Sequence, residues 1–171
     1  MILTSDEIHK NVCRGRIVLE PYTPSALGTV SYKFRLGRQI SPIASLIDSK
    51  NSLDLIYQEI PATGYLLKPG QLYLAQTEEI MGSYNHAQQI FGIVPVGNAG
   101  IFIHISADLG NVGCITQWTL EITVDHKIKI YPQQLIGQII FWVLKGHQIP
   151  YRGDYHQMPY SLPSKYWKEL I

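Results

Sequence analysis

Charge is what this sequence has least of. Asp, Glu, Lys and Arg make up 16% of its 171 residues and balance to a net charge of +1. It therefore lacks the basic field that gathers nucleic acid or an anionic membrane, and neither partner is expected. Cysteine is scarce too: Cys13 and Cys114 lie far apart and suggest no disulfide framework. No apolar run reaches the roughly 20 residues of a membrane span. The opening Met-Ile-Leu-Thr-Ser-Asp-Glu lacks the basic and apolar regions of a secretion signal, so a cytoplasmic setting is expected. Familiar chemical motifs are missing as well. There is no Gly-rich phosphate loop, no dinucleotide fingerprint and no G-x-S-x-G elbow. The histidines, at 9, 86, 104, 126, 147 and 156, show no H-E-x-x-H spacing. The zinc deaminase pairing of H-x-E with P-C-x-x-C is also absent, and no metal site is expected from the chain itself.

What is present is apolar patterning. Hydrophobic residues reach 46%, enough for one domain over residues 1–171 with a sizeable core. The segment from Ile101 to Val124 organises it: two stretches of period-two alternation flank a turn-rich piece holding Asp108, Gly110, Asn111 and Gly113. In the second stretch Trp118, Leu120, Ile122 and Val124 share one face, and Gln117, Thr119, Glu121 and Thr123 share the other. In the first stretch Phe102, His104 and Ser106 oppose Ile101, Ile103 and Ile105. If the polar faces meet one cleft, Glu121, His104 and Ser106 surround a small polar ligand. The competing reading is a half-buried antiparallel sheet with its polar side in water.

Elsewhere the pattern predicts a short helix after Thr4, capped by Thr4 and Glu7 as a capping box. Strands are predicted over 16–20, over 30–36 ending at Gly37, over 53–60, 89–96, 127–131 and 135–144, with 39–52 ambiguous. Residues 65–75 read as a hairpin about Pro69-Gly70, and 97–100 as a turn. Residues 146–171 form a long irregular tail with Tyr151, Tyr155, Tyr160 and Trp167, closing on a helical turn near Pro163–Lys168; such tails act as lids or clamps. Many short strands with frequent turns imply a β-sandwich or barrel with small helical decorations.

The order of segments resembles the dCTP deaminase branch of the trimeric dUTPase superfamily over nearly the whole chain. Ser31-Tyr32-Lys33-Phe34-Arg35-Leu36-Gly37 is similar to its S-Y-D-L-R-L-G. Leu67-Lys68-Pro69-Gly70 with Tyr73-Leu74-Ala75 and Thr77 is similar to L-x-P-G-x-x-x-L-A-x-T. Gly100 to His104 resembles G-L-x-V-H, and Thr119-Leu120-Glu121 resembles the T-L-E of the catalytic glutamate. Tyr131-Pro132 with Ile136-Gly137-Gln138 resembles Y-P-G-x-x-I-G-Q. Tyr151-Arg152-Gly153-Asp154-Tyr155 and Pro163-Ser164 look like the family's tail.

The resemblance implies a mainly β, distorted barrel or jelly roll of the dUTPase-like (β-clip) type with a short N-terminal helix and an irregular tail. It implies a homotrimer and zinc-independent hydrolytic deamination of cytosine. Glu121 would be the general base. Ser106, His104, Asn111, Thr119, Gln117, Tyr151 and Tyr155 would contact a pyrimidine nucleotide or nucleoside, with Arg152 and Lys165 against phosphate. Magnesium would enter only with a phosphorylated substrate. One departure is large. The family's R-S-S-x-x-R falls on Ile93-Val94-Pro95-Val96-Gly97-Asn98, and its tail lysine on Asp154. Two lost Arg–phosphate bonds, at roughly 1.5–3 kcal/mol each, amount to decades of affinity. The substrate expected is therefore less phosphorylated than dCTP. The alternatives are a catalytically silent nucleotide-binding or regulatory protein of this fold, and an unrelated β-sandwich module.

Overall fold

The computed structural model describes residues 1–43, 48, 50, 55–104 and 107–153. In chain order it has helix α1 (Ser5–Cys13), strand β1 (Ile17–Glu20), a 3-10 turn (Pro24–Ala26), β2 (Tyr32–Pro42), β3 (Gln58–Glu59), β4 (Tyr65–Leu67), β5 (Tyr73–Ser83) and β6 (His86–Gly92). A helical turn α2 (Val94–Asn98), then β7 (Ile101–Phe102), β8 (Leu109–Gly110), β9 (Ile115–Val124), β10 (Ile128–Ile130) and β11 (Leu135–Val143) follow. The chain is thus mainly β, as the pattern implied.

One nine-stranded sheet runs β7-β9-β5-β2-β11-β6-β8, with β1 added to β5 and β3 to β2, while β4 and β10 form a separate ribbon. The sheet curls into a half-barrel that brings its end strand β8 against β9: a side chain at Gly110 of β8 would run into the Trp118 indole of β9 and into Gln88. Glycine there is what lets β8 approach the Trp118 indole so closely. Inside lie Tyr32, Phe34, Leu36 and Ile40 of β2, Leu120 and Ile122 of β9, and Ile136, Ile139 and Phe141 of β11, all fully buried. At roughly 1.5–3 kcal/mol per buried side chain, this shared core is what holds the curled sheet shut.

Several local expectations change. Thr4 makes no side-chain cap. The Ser5 amide donates instead to the Thr29 carbonyl at 3.0 Å, and Glu7 pairs with Lys10 at 3.1 Å, so a tertiary acceptor replaces the capping box. Gly37 does not end β2. It lies inside the strand where a Cβ would meet the Gln76 carbonyl at 2.9 Å, at a register shift between β2 and β5. Residues 65–75 are no hairpin: the Pro69-Gly70 turn forms, but β4 pairs with β10 and β5 with β2 and β9. The strand expected over 53–60 is only Gln58–Glu59, its start lying outside the described residues. The strand expected over 89–96 starts earlier and ends at Gly92, because Pro95 opens α2. The strand from Ile101 is cut to Ile101–Phe102.

β5 carries a second irregularity, a register shift against β9 between Gln76 and Ile80. Thr77 and Glu79, which stand at it, are both paired. Thr77 Oγ1 donates to the Glu79 carbonyl at 2.7 Å and accepts from the Trp118 amide at 2.9 Å. Glu79, whose side chain is only 2% exposed, accepts from the Arg35 amide at 2.8 Å and from Arg35 Nε at 2.7 Å.

Where β5 ends, Ser83 organises a buried polar knot. Its hydroxyl donates to the Arg16 carbonyl at 2.9 Å and lies 3.0 Å from His86 Nδ1. The same hydroxyl accepts from the Asn85 and His86 amides at 3.3 and 3.2 Å, and which partner donates in the ring contact follows the His86 tautomer. Burial first, and the Arg16 charge second, hold the His86 pKa below its ordinary value near 6.5. The fold therefore prefers neutral His86. Its contribution is complete above about pH 6.5 and is lost as pH falls from there through the lowered folded value. Denaturant titrations at pH 7.5 and 5 should show a larger loss for the natural protein than for His86→Gln, and equal losses would show that His86 is not responsible.

Candidate functional site

β9 places Glu121 mid-strand between Leu120 and Ile122, which anchor it in the core at 0% exposure. Leu74 of β5 stands opposite it in register. On its other side the Glu121 amide donates to the Ile103 carbonyl at 3.0 Å, continuing the β7 register of Ile101 with Val124 and Phe102 with Thr123. His104 therefore comes alongside Glu121, with Nδ1 3.9 Å from Oε2. The carboxylate is 35% exposed and the imidazole 8%. Among the described residues, neither ring nitrogen of His104 has a hydrogen-bond partner. On the far side of Leu74 the row continues to Ser41 of β2, fully buried and with an unpartnered Oγ. Ser41, Leu74, Glu121 and His104 thus line up on one face, back to back with the core row Ile40, Ala75 and Leu120.

The polar faces read from the sequence do meet, through His104 and Glu121. A carboxylate on a rigid strand, open to water on one side and against an imidazole on the other, can take a proton from a bound water or polar ligand. Thr119 and Thr123 lie on the same face, roughly 7 Å along the strand in either direction. Gln117 shares the face, yet its amide is committed to the β5 irregularity, donating to the Thr77 and Glu78 carbonyls at 3.1 and 3.2 Å.

The loop that carries Asn111 and the start of the tail at Tyr151 are joined through the backbone of Val112. The Tyr151 amide donates to the Val112 carbonyl at 2.8 Å, fastening the start of the tail to the loop after β8. Arg152 follows, exposed. Ser106, Tyr155, Lys165 and Asp154 lie outside the described residues, as does the helical turn expected near 163–168. The segment that the resemblance sets against an arginine-serine motif is Ile93 followed by α2. It is uncharged, with Val94 72% exposed.

Sequence reading missed Ser41 and Leu74 as neighbours of Glu121. Only the register of β2 on β5 and of β5 on β9 puts them there, and no local pattern announces it.

A family model described as dCTP deaminase-like matches residues 2–144. Among curated proteins, the dCTP deaminase, dUMP-forming, of Cytophaga hutchinsonii is 35% identical over 177 residues, covering 99% of both chains. The protein of that name from Leptospira biflexa is 34% identical over 99% of this chain and 98% of its own, and that of Clostridium beijerinckii 32% over 99% of each. Among solved structures, 2'-deoxycytidine 5'-triphosphate deaminase from Agrobacterium tumefaciens superposes with a TM-score of 0.65 at 16% identity, over 82% of this chain. The present chain spans 47% of that protein's length, and the likeness concerns the fold.

Proposed function

The chain belongs to the dCTP deaminase-like family, and from that premise we propose that it is a hydrolase that deaminates the cytosine ring of a deoxynucleotide or nucleoside, with Glu121 as general base. The observation that carries the reading is the Glu121 carboxylate held mid-strand, part-exposed, against His104 at 3.9 Å. Water adds to C4 of the ring as Glu121 takes one of its protons. That proton passes to the ring nitrogen N3, and the hydroxyl proton passes to the amino group. The C4–N bond breaks, ammonia leaves, and the carbonyl of uracil forms with Glu121 ionised again. The relatives' names add formation of dUMP, a second hydrolysis. For this chain the proposal covers the deamination. Incubation with deoxycytidine, dCMP and dCTP, followed by the ultraviolet change of cytosine to uracil, tests it. No change with any of them removes the enzyme and leaves the second reading, a silent nucleotide-binding protein, which the uncharged α2 segment favours.

Phosphate recognition is expected to be weak. With Val94–Asn98 uncharged and Asp154 in the tail, dCTP should bind no more than about tenfold tighter than deoxycytidine, where paired arginines would add decades. Calorimetry with the two ligands decides this, and a dCTP affinity decades higher would refute it. Magnesium belongs to the proposal only as the companion of a phosphorylated substrate, held on its phosphate oxygens.

The homotrimer is part of the same proposal. Its support is the family rather than β11, whose Ile136, Ile139 and Phe141 are taken up by one copy's own core. Sedimentation finding only monomer at micromolar concentration would remove it.

A further inference from the structure

We propose that His104 is the positioning residue for Glu121: when a ligand fills the site, its Nδ1–H closes on Oε2 and fixes the carboxylate, leaving Oε1 free to receive the proton of the attacking water. This rests on Glu121 being the base. Two observations carry it. The His104 side chain is more than nine-tenths buried, and neither ring nitrogen has a partner among the described residues. Its one ion-pair contact among the described residues is Glu121, at 3.9 Å, just beyond hydrogen-bonding range.

A buried structural histidine normally spends its ring nitrogens on nearby acceptors or donors. His86 in this same chain does so, through Ser83. An imidazole desolvated with both nitrogens idle lowers the stability of the resting fold, because polar groups taken out of water without a partner are costly. Such a residue persists where a partner arrives later. Glu121 is the titratable group the structure sets against it. The other members of the row, Leu74 across β5 and Ser41 on β2, carry no charge. His104 keeps its own proton throughout. The protons that move are those of the water, which pass by way of Glu121 to the pyrimidine.

The test uses the full chain with three substitutions. His104→Leu should lose roughly ten- to a hundredfold in kcat with KM within about twofold. Its melting temperature should be equal or higher, since an unpaired polar group has been replaced by an apolar one. His104→Asn, whose side-chain amide nitrogen occupies the Nδ1 position, should recover most of kcat. His104→Gln, which reaches the Nε2 position, should not. Leucine at wild-type rate, or Asn no better than Gln, overturns the proposal. A second readout needs no turnover. By NMR at one fixed pH, the His104 Nδ1 resonance should move when deoxycytidine is added to the natural protein and should stay in place in Glu121→Gln, because the bond it reports closes on the carboxylate only when the site is filled. A resonance that stays in place in an active enzyme rejects the pairing and spares Glu121. A resonance that moves in a protein that deaminates nothing keeps the pairing and rejects the deaminase.

Discussion

Glu121→Gln should reduce deamination by roughly two to four decades, the usual share of a general base, while the melting temperature stays within a few degrees. The amide keeps the shape of the carboxylate and removes its basicity. Little structure depends on the charge: the side chain is 35% exposed, and its ion-pair contact among the described residues, His104 Nδ1, is 3.9 Å away. Its backbone amide bond to Ile103 is untouched by the change. If Glu121 were instead a structural acceptor, the variant would melt earlier and work nearly as well. Rate and melting temperature measured on the same preparation separate these outcomes, and an active, destabilised Glu121→Gln would end the case for catalysis at this position.

Arg35→Met should cost about 3 kcal/mol, from the lower end of what breaking a buried ion pair costs. The lower end applies because the Arg35 side chain is itself 30% exposed and part of its loss is compensated by water. What remains is Glu79, 2% exposed, holding only the Arg35 backbone amide. For a chain of this size that energy corresponds to a fall of roughly 6–12 °C in melting temperature. The double variant Arg35→Met, Glu79→Met should recover much of it, because no stranded charge is left. Thermal melts of both variants check this. A double variant no better than the single one would show that the loss is packing rather than charge.

The sequence revealed β9 and β11 because each obeys one simple rule. β9 alternates with a single buried face, and β11 is apolar on both sides. The pairing of His104 with Glu121 followed from the two alternations and the turn between them. What stayed hidden depends on partners far away along the chain. Residues 76–83 read as nothing in particular, since Glu78 and Glu79 look like surface charge until Arg35 arrives to neutralise one of them. Leu67 and Tyr73 flank a good turn yet do not pair, because Ile128 and Ile122 offer each a better neighbour. Gly37 looked like a stop, but it is the absence of a side chain that lets β2 pass close to the Gln76 carbonyl. Pro95 was read as part of a strand when its ring was suited to start a helical turn. The loss of charge at residues 93–98 needed no structure, since the residue types alone show it.

The position of β11 also governs how the molecule must be made. The last strand of the barrel sits between β2 and β6, and the Ser31 hydroxyl waits for Gln138, 107 residues later, as its acceptor. A nascent chain that has emerged only as far as β9 holds two long open edges, one on β2 and one on β6, with no strand to lie between them. Pairings of such sequence separation form slowly, and open edges recruit other chains in the meantime. Expression at low temperature, or with chaperones that hold unfinished sheets, should therefore raise the soluble yield of this protein more than any substitution at its surface.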